Sequence, residues 1–253
     1  MPSRTVSVEN GRLFHDGELR ERDLIADAET GRVLELSSDV DDLRGREHTT
    51  VDADGALVLP GGVDAHVHFR EPGASHKEDW RTGSRSAAAG GVTAVVDQPN
   101  TSPPTVDARS FEEKRELASK SLVDYGINAG VTPDWKPDEL AELPVTAYGE
   151  VFMADSTGEM GIRTDLFSEA LETLSGREAL VTVHAEDSSE FVDVDGDDPD
   201  AWSRHRPPQS ESKAVETAVE VADRHDARLH FAHVSHPDSV ELIHATRHTC
   251  EVT

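Results

Sequence analysis

Apolar and polar positions follow two different rhythms along the 253-residue chain. Over residues 1–56 they form short runs, TVSVENGRLF, RDLIAD, RVLELSSD and VDADG. The turn pairs Asn10-Gly11, Asp16-Gly17 and Thr30-Gly31 break them at hairpin spacing. This predicts a small β domain over 1–56, too thin to hold a core alone. From residue 57 the texture changes. Apolar runs at 57–63, 92–97, 123–129, 145–153, 179–184 and 228–234 alternate with amphipathic stretches at 77–89, 107–120, 165–175 and 211–224. Repeated β-then-α units at this spacing predict an α/β domain over 57–253, with a parallel sheet and right-handed crossovers. A barrel and a doubly wound sheet both fit. The acidic stretch 186–210 is too long for a simple βα connection and reads as a loop over one end of the sheet.

Composition narrows the partners. Acidic side chains number 51 against 24 basic ones, a formal net charge of −27. That surface argues against nucleic acid, whose binding needs a basic face, and against an anionic membrane. The apolar content of 36% lies in patterned runs, which excludes a disordered acidic chain. With Cys250 the single cysteine, no intrachain disulfide forms and a reducing compartment is the default. No signal-peptide h-region or long apolar span is visible, so a soluble cytoplasmic protein is expected. Only Lys77, Lys114, Lys120, Lys136 and Lys213 are lysines. Excess acid with scarce lysine suits a protein working in concentrated salt, where self-repulsion is screened.

The candidate chemistry centres on Asp64-Ala-His66-Val-His68-Phe-Arg70, after the turn Pro60-Gly61-Gly62. On a regular strand Asp64, His66, His68 and Arg70 share one face. Two neutral imidazoles at i and i+2 can grip one divalent ion, and burying four unpaired polar groups would otherwise be costly. His184 ends the run ALVTV and His233 ends RLHFA, each near the C-terminal end of an expected parallel strand, where α/β folds place ligand sites. Together the four imidazoles point to a metal centre.

The blocks PGGVDAHVHFREPG, KEDWRTGSRSAAAGGVTAVVDQPNTSPP, VFMADSTGEMG, VTVHAED and HFAHVS closely resemble the amidohydrolase superfamily, and within it the dihydroorotase branch. The resemblance runs from about residue 50 to the end. It implies a distorted TIM-type (β/α)8 barrel with a small β domain, and reversible, zinc-dependent interconversion of dihydroorotate and N-carbamoyl-aspartate in pyrimidine biosynthesis. It implies two Zn²⁺ per subunit, with His66 and His68 on the more buried ion and His184 and His233 on the other. Arg70 and Asn100 would hold the substrate carboxylate, a task suited to a planar guanidinium. Allantoinase- and hydantoinase-type cyclic amidases lack that Arg and form the alternative, beside a catalytically dead scaffold homologue. Lys77, Asp79 and Trp80 would brace the loop and helix after the first strand. His76, His236, His244 and His248 match no ligand position. A homo-oligomer or a transcarbamoylase partner is left open.

Two departures stand out. Many relatives bridge the metals with a carbamylated lysine, but here Glu150 occupies that position in GEVFM and no lysine lies between Lys136 and Lys213. Glu150 is therefore the expected bridging carboxylate, with Asp155 as fallback. Second, the chain halts at Cys250-Glu-Val-Thr253, after about six barrel strands and a stub. The eighth-strand aspartate that shuttles the proton in the family has no counterpart here, so the sequence reads as the N-terminal portion of a longer protein.

Overall fold

The computed structural model of the chain describes residues 2–38, 42, 44–156, 159–177 and 179–253. It divides into two compact units, Met1–Gly61 and Gly62–Thr253.

In the first unit, strands β1 (Arg4–Glu9), β2 (Arg12–His15), β3 (Glu18–Glu21), β4 (Asp23–Asp27), β5 (Val33–Ser37), β6 (Glu47–Asp52) and β7 (Leu57–Val58) form two sheets, ordered β5-β4-β1-β6 and β3-β2-β7. Asp16 and Gly17 both adopt positive φ, as the two-residue turn between β2 and β3 requires. Few apolar side chains are buried, chiefly Leu13, Ile25 and Ala26. Buried Thr5 and Ser7 instead meet the two ring nitrogens of His48, at 2.8 and 3.1 Å. The unit extends past residue 56 because Leu57 and Val58 pair in parallel with Arg12 and Leu13.

The second unit runs β8 (Gly62–Val67), α1 (Trp80–Ala89), β9 (Val92–Asp97), α2 (Ala108–Ala118), β10 (Asp124–Ile127), α3 (Pro137–Leu140), β11 (Tyr148–Phe152), α4 (Thr164–Ser175), β12 (Leu180–His184), α5 (Pro199–His205), α6 (Pro208–His225), β13 (Arg228–Val234), α7 (Pro237–His244) and β14 (Thr249–Val252). Every strand pairing in it is parallel. The series β8-β9-β10 joins β11-β12-β13-β14 through a bridge between Ala129 and Tyr148. Among the described residues the strands thus stand in chain order, seven in all, because the terminal stub also pairs in parallel with β13. Each of the outer strands, β8 and β14, has one paired neighbour among the described residues.

The helices form where capping and periodicity agree. Asp79 and Asp107 accept from the backbone N–H of Thr82 and Ser110, whose hydroxyls reach back, so capping boxes open α1 and α2. On α6 the buried Ala214, Val215, Ala218, Val221 and Ala222 make one apolar stripe against the sheet. Phe111, Phe167, Leu171, Leu174, Val183, Leu229 and Phe231 fill the layer between strands and helices. Trp80, wholly buried, packs edge-on against Phe69 at 5.1 Å, which accounts for its place after the first strand. The stretch 186–210 is more ordered than expected: it holds a 3₁₀ turn, Ser188–Glu190, and α5, which Asp198 caps with Pro199 in its first turn. No described helix is long and apolar enough to cross a membrane.

Candidate metal centre

The candidate donors gather at the C-terminal ends of the parallel strands. His66 lies near the end of β8, His68 just beyond it, Glu150 within β11, His184 last on β12 and His233 near the end of β13. Three of them sit where strand register breaks. The irregularities lie between Asp64 and Val67, Tyr148 and Val151, and Phe231 and Val234, so each spans one donor. An extra residue in a strand re-aims the side chains around it, and here it turns them toward one point. His233 also takes a positive φ of 37°. The shared face expected for Asp64, His66, His68 and Arg70 therefore does not hold. β8 ends at Val67, Arg70 has φ of 56°, and exposed Asp64 only accepts the His66 backbone N–H at 3.1 Å.

Glu150, 2% exposed, stands at the centre and divides its two oxygens between the imidazole pairs. Oε2 lies 3.3 Å from His66 Nε2 and 3.6 Å from His68 Nε2. Oε1 lies 3.0 Å from His184 Nδ1 and 2.7 Å from His233 Nε2. Within the pairs, the ring nitrogens are 3.3 Å apart for His66 and His68 and 3.1 Å apart for His184 and His233. Ligand atoms of His66, Glu150 and His233 all lie within 4.8 Å of one another, a group that could hold a metal ion.

Three of the four rings are held from behind. His66 Nδ1 meets Glu251 Oε1 at 2.6 Å, His68 Nδ1 meets Asn100 Oδ1 at 2.7 Å, and His184 Nε2 meets Glu186 Oε2 at 2.8 Å. A carboxylate only accepts, so His66 carries a proton on Nδ1 and His184 on Nε2; the other nitrogen offers Glu150 a lone pair when the ring is neutral and donates an N–H to it when the ring is protonated. Burial alone would raise the Glu150 carboxyl, yet bonds from His184, His233 and His66 hold it well below the usual carboxylate range. Burial opposes charge on His184 too, but Glu150 and Glu186 push the metal-free ring up to about 9. His68, buried with less compensation, is lowered.

This donor set fits divalent cations. Lone pairs from two imidazoles and one carboxylate oxygen face each other at about 3 Å on either side of Glu150, an arrangement that demands a proton or a cation between them. Two nitrogen ligands of one tetrahedral zinc, bound at about 2.0–2.1 Å, lie about 3.3 Å apart, close to the spacing in both pairs.

The other expected site residues sort themselves. Half-buried Arg70 forms no ion pair among the described residues. Glu71, its sequence neighbour, is taken by Lys120 at 2.9 Å and the Trp80 N–H at 3.2 Å, and the Arg70 charge is felt at His68. Asn100 touches His68 through its side-chain oxygen, a contact the sequence did not suggest. Asp155 is not brought into the cluster: it is exposed and accepts the Gly161 N–H at 2.7 Å. Glu186 and Glu251 were missed by sequence reasoning, although Glu186 stands at i+2 from His184 and Glu251 is a lone carboxylate inside a strand. Behind Glu186 comes Arg206, stacked between the Phe191 and Trp202 rings, each centroid 4.6 Å away, and bonded to the Asp155 carbonyl at 2.7 Å. The 186–210 segment is thereby fastened to the back of a candidate ligand.

Comparison with known proteins places the chain in a family. The profile of the amidohydrolase family matches residues 57–252. The dihydroorotase of Halobacterium salinarum is 52% identical over 199 residues, 78% of this chain and 47% of that protein. That of Methanosarcina acetivorans is 42% identical over 98% of this chain and 56% of its own length. Among solved structures, an L-hydantoinase (dihydropyrimidinase) from Arthrobacter aurescens superposes with a TM-score of 0.85 at 28% identity, covering 98% of this chain and 58% of that one. The chain thus spans about half the length of these relatives. The profile match over most of the chain and the shared architecture show that the chain belongs to the amidohydrolase family and carries its α/β fold.

Proposed function

We propose that the protein is a metal-dependent dihydroorotase, hydrolysing dihydroorotate to N-carbamoyl-aspartate and closing the ring in reverse. The observation that carries this reading is the Glu150 carboxylate, each oxygen facing its own pair of imidazoles. His66 and His68 would hold one divalent ion, His184 and His233 the other, with Glu150 bridging and Zn²⁺ the ion that suits nitrogen-rich ligands. Such ions, when bound, supply a water of lowered pKa and a Lewis acid for the amide carbonyl.

The chain's own residues supply the rest. Arg70, without a protein counter-ion among the described residues and two positions past His68, would take the substrate carboxylate in a bidentate grip. Asn100, whose side-chain oxygen meets His68 Nδ1, stands beside the same region and would help to place that carboxylate. Fixing the carboxylate places the ring carbonyl against the centre and converts encounter into a positioned reaction. The identity to archaeal dihydroorotases supports the substrate; the fold shared with an L-hydantoinase supports a cyclic amide lacking the carboxylate as the second reading. The acidic, lysine-poor composition supports a protein adapted to salt.

The test is turnover of dihydroorotate by the intact protein before and after chelation. Activity is expected to vanish with the metal, to return with Zn²⁺, and to fall by at least about 100-fold in His66→Ala. Full turnover by the chelated enzyme would overturn the reading.

A further inference from the structure

Glu251 belongs to none of the expected ligand or substrate positions, yet it touches both halves of the centre. Its Oε1 lies 2.6 Å from His66 Nδ1 and accepts the backbone N–H of His233 at 3.1 Å. It stands on β14, one outer strand, while His66 stands on β8, the other. The carboxylate therefore spans the two outer strands and fixes a residue from each imidazole pair. Its own side chain is about one-third exposed, against 16% for His66. Among the described residues no other side chain bonds His66 Nδ1, and Nε2 is the atom that faces Glu150 and His68.

We propose that Glu251 is a positioning residue that sets the tautomer and aim of His66 and, through the His233 backbone, the separation of the two metal positions. The inference rests on the two-metal reading. With Nδ1–H donated to an anion, His66 Nε2 keeps its lone pair and gains basicity, the usual work of a carboxylate behind a metal-bound imidazole. The hydrogen bond to His233 N secures the backbone where β13 departs from regular register and φ turns positive. One oxygen thus serves both positions, so its loss should weaken both.

The experiment compares wild type, Glu251→Ala and Glu251→Gln of the intact protein. Zn²⁺ affinity and stoichiometry are read by competition with a chromophoric chelator, and ligand geometry by the visible spectrum of the Co²⁺-substituted protein. Wild type should bind two ions. Glu251→Ala should bind about 10- to 100-fold more weakly with an altered Co²⁺ spectrum, and Glu251→Gln, which keeps an acceptor oxygen in place, should recover most of the loss. If the alanine variant does not fold, Glu251→Asp, which keeps the charge but shortens its reach, is expected to show the same weakening. Wild-type affinity and spectrum in Glu251→Ala, or in Glu251→Asp where it takes that place, would overturn the inference while leaving the metal centre intact. A wild-type protein that takes up no metal would overturn the reading beneath it.

Discussion

The guanidinium of Arg70 stands two residues beyond His68, on backbone that has already left the strand for the left-handed region. That turn makes its aim independent of the strand alternation, so its role has to be argued from charge and from what its neighbours do. Glu71 is engaged by Lys120 and Asp64 by the His66 backbone, so the acids beside it in sequence do not neutralise it. Arg70→Ala is expected to lower kcat/KM for dihydroorotate by about 10- to 100-fold, the worth of hydrogen bonds to a charged group. Hydrolysis of dihydrouracil, which has the ring but no carboxylate, should change little. An equal loss on both substrates would remove Arg70 from carboxylate recognition. At this scale the sequence was informative about residue types and poor about their company. The four histidines and Glu150 could be picked out because strand-end position and motif coincide. Asn100 against His68, and the carboxylates of Glu186 and Glu251, depend on contacts between strands far apart in the chain, which no local pattern encodes.

Among the elements, β8 and β9 are tied together beneath the centre by polar groups rather than by apolar packing alone. Asp97, the last residue of β9, accepts the Phe69 N–H at 2.7 Å and pairs with Lys114 of α2 at 2.5 Å, both side chains wholly buried. Lys114 also reaches the Gln98 carbonyl, and Gln98 donates to the Ala65 carbonyl at 3.2 Å. Burial lowers the lysine pKa, although Asp97 opposes the shift. Lys114→Met would strand the Asp97 charge in the interior, and a loss of about 3–5 kcal/mol in unfolding free energy is expected from chemical denaturation. Adding Asp97→Asn should return part of it; a single variant as stable as wild type would show the pair to be dispensable. Lys114 lies in an amphipathic stretch that the sequence placed correctly, but its burial could not be foreseen, because a lysine in a helix is ordinarily at the surface. Helices α1, α2, α4 and α6 were legible from periodicity within a few residues. The shorter α3 and α5 were not, since four and seven residues are too few to show a period.

For the whole molecule, the charge of −27 is a property of the solvent-facing surface, because the centre itself is built from imidazoles and one buried carboxylate. Three of the five lysines are committed to ion pairs, Lys114 with Asp97, Lys120 with Glu71, and Lys213 with Asp187 and Glu190, so little lysine remains to offset the acids. Raising KCl from about 0.1 M to about 2 M shortens the Debye length to about 3 Å or less and should raise the thermal unfolding midpoint. A midpoint that is flat or falls across that range would end the salt-adapted reading. The order of the strands has a further consequence, for assembly in time. During synthesis His66 and His68 emerge first, and Glu150, His184, His233 and Glu251 follow one strand at a time. A nascent chain that has made only β8 and β9 offers a metal ion two nitrogens and no carboxylate bridge. On the two-metal reading, tight capture of the ions would fall late in folding, after β14 has docked, and an ion held at the centre would mark a wall already built.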